Sequence, residues 1–180
     1  MSRLPRTLRL DPSDTFVFPR AAEPGEWAVP GSFLFWDADP TALEGRERAA
    51  FRAGFVGVAS LGFSTLVAVT EAGPADREAA VAALSRHLLE RFGAPDEAAA
   101  RAAAVEEVDF AASLCNHPVG TVLALHRSVE GGEVRERFRT LRRREGVGGD
   151  RLHAHARAFE FVEVDEPAER VDLVNLVGDR

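Results

Sequence analysis

The sequence predicts an α+β fold, a mostly antiparallel sheet with two central helices packed on one face. Three observations predict it. Val119 to Leu141 alternates around a Gly131-Gly132 pair, Pro74 to Cys115 carries two successive helical periodicities, and the opening third breaks into short apolar runs separated by Pro, Gly and Asp.

Thr7 to Leu10 and Thr15 to Phe18 read as short strands on either side of Asp11-Pro12-Ser13-Asp14, a turn composition. Glu23-Pro24-Gly25-Glu26 is a second turn. Trp27 to Trp36 is strongly apolar but broken by Pro30-Gly31, which predicts a bulged strand or two short pieces. Asp39 caps a helix with Pro40 at its first position; this helix runs to Ala53, buries Leu43, Ala50 and Phe51, and stops at Gly54. The glycine-rich stretch to Gly62 lacks dinucleotide or phosphate-loop spacing and reads as bulged apolar backbone. Phe63 to Glu71 is a buried strand ended by Gly73-Pro74.

Val81, Leu84, Leu88 and Phe92 share one face of a helix from Pro74 to Phe92, with His87 on its flank as a surface residue. Gly93 stops it. Pro95 opens a second helix that runs to about Cys115 and is apolar or alanine over most of its circumference, so it packs on more than one side. Its polar stripe is Glu106, Asp109 and Ser113. Together the two helices form a helical hairpin.

In the strand pair, two glycines suit a tight turn that needs positive φ. Facing Glu130 with Glu133 places Leu123, Leu125, Val129, Val134, Phe138 and Thr140 on a mostly apolar face, with Arg127 opposite Glu136 at its rim. The other face then carries His126, Arg135, Arg137 and Arg139. A slip of one residue would bury the arginines, so the pattern sets the register. Residues 142–152 read as a mobile solvated loop, Ala156 to Val164 as a strand, and Val171 to Val177 as a strand or helical turn.

A length of 180 residues predicts one domain, 1–180. Hydrophobic and charged shares of 46% and 28% are those of a globular chain, not a disordered one. Every one of the 22 basic residues is Arg, while Lys, Ile, Gln and Tyr are absent, so the arginine count alone signals no nucleic-acid role. With 29 acidic residues the net charge is −7, which opposes polyanion binding, and no aromatic interleaves the arginines to stack a base. No stretch nears the roughly 20 apolar residues of a membrane span. Neither nucleic acid nor membrane is expected as a partner. One cysteine, no Cys-rich zinc framework and no apolar leader run predict a cytoplasmic chain without cofactors.

The basic hairpin face, His126 with Arg135, Arg137 and Arg139, suits an anionic small molecule or an acidic partner, although such faces are commonly just solvated. Trp27 and Trp36 with their neighbouring phenylalanines suit a protein partner or a homodimer, against the ordinary alternative of core packing. A competing enzyme reading centres a thiol or metal site on Cys115 and His117 with Glu106 and Asp109. Against it, the carboxyl end of a helix disfavours a thiolate, and Cys-x-His spacing is unspecific. No nucleophile elbow is present. These residues favour a noncatalytic binding protein.

Leu4-Pro5-Arg6-Thr7, Leu10 to Phe18, Glu26-Trp27, Phe51 to Phe55, Phe110 to Cys115 and His117-Pro118 resemble an uncharacterised family of small, mainly alphaproteobacterial proteins over most of the chain. That family has no established activity, so no catalytic residue carries over. The resemblance implies an accessory role, assisting a redox enzyme system.

Overall fold

The computed structural model describes residues 2–143 and 161–164. Five antiparallel strands form the main sheet in the order β1-β5-β6-β7-β8, where β1 is Ser2–Leu8, β5 Leu66–Ala72, β6 Val122–Glu130, β7 Glu133–Arg143 and β8 Phe161–Val164. A second sheet of three short strands, β2 (Ala28–Val29), β3 (Phe55–Gly57) and β4 (Phe63–Ser64), lies in the order β2-β3-β4. The chain is therefore α+β with antiparallel sheets.

The β6–β7 register is the one the alternation requires, from Glu130 opposite Glu133 to Val122 opposite Leu141. Gly131 and Gly132 both take positive φ, 61° and 84°, which a side chain would strain. Leu123 and Leu125 are buried with Val67, Val69, Phe55 and Cys115, and Phe138 packs against them. Past the turn, β7 continues through Arg142 and Arg143, which pair with Val162 and Phe161 of β8 rather than opening a loop at 142. The remainder of that expected loop and the strand or turn at 171–177 lie outside the described residues.

Helix α3 (Pro74–Arg91) and helix α4 (Glu97–Ser113) pack on each other as the expected hairpin. Asp96 caps α4 by accepting the Ala99 N–H at 2.8 Å. Ala80, Val81, Leu84 and Leu88 of α3 and Ala100, Ala104, Val108 and Ala111 of α4 enter one core with Leu4, Val29, Phe33, Val56 and Leu61. Here α4 packs on β1 and β2, α3 reaches β5, and a shorter helix, α2 (Gly45–Ala53), lies against β6.

Three local expectations change, each for a hydrogen-bonding reason. Ser13–Val17 is a short helix, α1, rather than a strand, because Asp11 accepts the Ser13 N–H and Pro12 O accepts from Thr15. Helix α2 begins at Gly45 instead of Pro40, since Asp39 Oδ1 accepts both the backbone and hydroxyl of Thr41 in a turn that competes with the helix. The run from Phe63 splits into β4 and β5 at Thr65, whose N–H and hydroxyl bond to the buried Asp14 carboxylate. His87 stays on the flank of α3 with partial exposure, its Nε2 3.0 Å from Ala59 O.

The expected bulged segment becomes β2, a turn at Pro30-Gly31 and a 3-10 turn at Ser32–Phe35. Gly31 has φ +76°, and a Cβ there would lie 2.2 Å from a methyl of Val56. No other residue fits.

Candidate functional site

The Arg127–Glu136 pair is not at a rim. Both are buried, at 0% and 3% exposure, and Arg127 Nε donates to Glu136 Oε1 at 3.1 Å. Arg127 Nη1 donates to the carbonyls of Phe51 and Gly54 at the end of α2, and Nη2 donates to Pro30 O. The guanidinium thus joins the hairpin, α2 and the Pro30-Gly31 turn, with Phe35 beneath it at 5.8 Å.

The opposite side of that turn is held by a residue the sequence reading passed over. Glu107 Oε1 accepts the Gly31 N–H at 2.8 Å, so one peptide unit, Pro30 C=O and Gly31 N–H, connects Arg127 to Glu107. Glu107 stands on the buried stripe of α4, three residues after Ala104 and four before Ala111, a spacing that marks it as inward-facing. The residue keeps some exposure, but its carboxyl enters the packed interior. Burial raises its pKa, the Gly31 N–H opposes that, nearby Glu136 raises it further and Arg127 lowers it.

The turn leads to Trp36, which is 74% exposed. Its indole meets the ring of buried Phe33 edge-on at 6.4 Å, and Phe33 in turn meets exposed Phe92 edge-on at 5.2 Å. Trp27, the other tryptophan, is half-buried with the Arg6 guanidinium 3.7 Å over its ring. Of the two tryptophans only Trp36 is largely exposed.

On the outer hairpin face His126 lies directly opposite Arg137, with Arg139 one pair further on. Arg135 and Arg137 both pair with Glu130, at 3.1 and 3.2 Å, so this face is less positive than four basic residues suggest. Partial burial and the charges of Arg52, Arg139 and Arg137 hold the His126 pKa below its ordinary value.

The residues of the enzyme reading are dispersed. Cys115 is buried, and loss of hydration pushes its thiol up to about 12 although Arg3 opposes it. Asp109 is exposed and paired with Arg77, Glu106 is exposed, and the His117 carbonyl accepts from Arg3 at 2.7 Å. Among the described residues no three His, Cys, Asp or Glu side chains come together as a metal site, so the expected Glu106, Asp109, Cys115 and His117 set is not assembled.

The family model for a family of unknown function, DUF6505, matches residues 1–160. The chain belongs to that family. No curated protein and no solved structure matches it. In this DUF6505 protein no helix among the described residues is long and apolar enough to cross a membrane.

The glycine-rich stretch of the DUF6505 chain has a structural use. Glu26 accepts the Glu23, Ala59 and Ser60 N–H groups and the Ser60 hydroxyl, and a Cβ at Gly57 would strike that carboxylate at 2.6 Å. A Cβ at Gly62 would strike Ala21 O at 2.4 Å. Close approach of the Glu26 carboxylate at Gly57 and of the Ala21 backbone at Gly62 accounts for these glycines.

Proposed function

We propose that this DUF6505 protein is a noncatalytic accessory protein of the cytoplasm that binds a protein partner through Trp36. The observation that carries this reading is an indole in water, braced by a buried ring and continued by Phe92. Rigid aromatic side chains of this kind supply most of the affinity at protein interfaces, because they bury a large area for little lost conformational freedom. A single buried thiol agrees with a reducing compartment. Assistance to a redox enzyme system rests on the sequence resemblance.

The test is recovery of partners from a lysate by wild-type protein, Trp36→Ala, and an Arg135/Arg137/Arg139→Ala triple variant. Trp36→Ala is expected to lose a partner that the triple variant keeps. Equal recovery by folded Trp36→Ala would overturn the reading.

A second surface has its own support. His126 is surrounded by the charges of Arg52, Arg137 and Arg139, an arrangement suited to an anionic ligand. Titration with inorganic phosphate, wild type against Arg52→Ala, tests it: saturable heat lost in the variant supports an anion site, and no heat with either removes it.

A further inference from the structure

The Glu107 carboxyl has a more specific consequence for the segment that carries Trp36, and it rests on the docking role of Trp36 above. Three ionisable groups are linked in the interior, Glu136 to Arg127 directly and Arg127 to Glu107 through the Pro30-Gly31 peptide. Arg127 spends Nε on Glu136 Oε1 and its Nη atoms on backbone carbonyls, so one guanidinium faces two acids. Glu136 Oε2 is buried and has no hydrogen-bond partner among the described residues. Two ionised carboxylates here would leave an uncompensated interior charge, which is far costlier than a neutral acid.

We infer that Glu107 is a proton-controlled latch on the Pro30-Gly31 turn: neutral, it holds Gly31 N–H and fixes the segment presenting Trp36, and ionised, it leaves for water and frees that segment.

Glu107 is partly exposed as a residue, so the interior that holds its carboxyl borders solvent. The charged groups acting on it are Glu136 from β7 and Arg127 from β6. Charges between α3 and α4 form separate pairs at the surface, Arg77 with Asp109 and Arg101 with Glu78. The turn itself contributes the Gly31 N–H and no titrating group, and Phe33 and Trp36 follow it within five residues. Release of the Gly31 amide therefore reaches the indole through a single 3-10 turn.

The experiment follows three NMR signals from pH 5 to 9 in the full chain: the Glu107 side-chain carboxyl carbon, the protection factor of the Gly31 amide, and the Trp36 indole N–H. In wild type the Glu107 carbon is expected to titrate above the ordinary carboxyl range. Gly31 protection should fall at least ten-fold, and the Trp36 indole should shift with the same midpoint. In Glu107→Gln, which still accepts the Gly31 N–H, both backbone and indole signals should stay flat. A Glu107 carbon titrating in the ordinary range, a flat Gly31 curve in wild type, or an equal fall in Glu107→Gln would each overturn the latch. The wild-type titration alone decides the matter if the variant fails to fold. None of these signals needs a partner, so failure of the latch is separate from failure of Trp36→Ala to lose one.

Discussion

Arg127 Nε lies 3.1 Å from Glu136 Oε1 across neighbouring strands, with both side chains out of water. Truncating Arg127 to Ala strands a buried carboxylate and removes the donor shared by the Phe51, Gly54 and Pro30 carbonyls. A loss of roughly 3–5 kcal/mol is expected in urea unfolding. Replacing the pair together, Arg127→Met with Glu136→Leu, removes the stranded charge and should recover about half of that loss or more. Equal stability of Arg127→Ala and wild type would contradict the burial.

Gly31→Ala meets two obstacles at once. Its φ of +76° is strained for any side chain, and the new Cβ would press on Val56. The expected cost is roughly 2–5 kcal/mol from left-handed strain and overpacking combined. Thermal or urea unfolding reads it, and a change within about 0.5 kcal/mol would show that the turn takes another shape.

His126 should titrate below the ordinary histidine range, because partial burial and then Arg52, Arg139 and Arg137 disfavour its charged form. A depressed value in the fold means the unfolded chain binds the proton first. The contribution of His126 to stability is then present above the ordinary histidine pKa and lost as pH falls through the folded value. Ring-proton NMR measures the midpoint, and Arg52→Ala should move it upward. A midpoint unmoved by Arg52→Ala would deny that Arg52 acts on this imidazole.

Cys115, with its thiol pushed up to about 12, should react with disulfide reagents at pH 8 far more slowly than the same chain in urea. At least a hundred-fold difference is expected on the order-of-magnitude ground that each pKa unit is ten-fold in thiolate. Fast labelling of the folded protein would revive the thiol-enzyme reading.

Much of the sheet was legible because β6 and β7 alternate around the Gly131-Gly132 turn and a slip of one residue would turn Arg135, Arg137 and Arg139 inward, although Arg127 is buried in the true register. The α3–α4 hairpin was legible for the same kind of reason, a repeating apolar stripe between Pro and Gly signals. What escaped depends on contacts between distant residues. Thr65 ends one strand because Asp14, 51 residues earlier, binds it, and the turn at Asp39 displaces a helix start that local composition favours. Within the site, the sequence marked Trp27 and Trp36 alike, and only the fold separates them, leaving Trp36 exposed and covering Trp27 with Arg6. Glu107 was missed because adjacent Glu106 and Asp109 form a polar stripe that draws attention outward. Its spacing from Ala100, Ala104 and Ala111 held the signal.

Arg127 fixes the segment that carries Trp36 through Pro30 O, and amide hydrogen exchange of the Arg127→Met/Glu136→Leu protein measures this most directly. The double variant keeps an apolar filling but gives nothing to Pro30 O. Exchange should quicken at Gly31 and through residues 32–36, while the amides of α3 between Val81 and Leu88 stay as slow as in wild type. Unchanged exchange at 31–36 in the folded variant would contradict it.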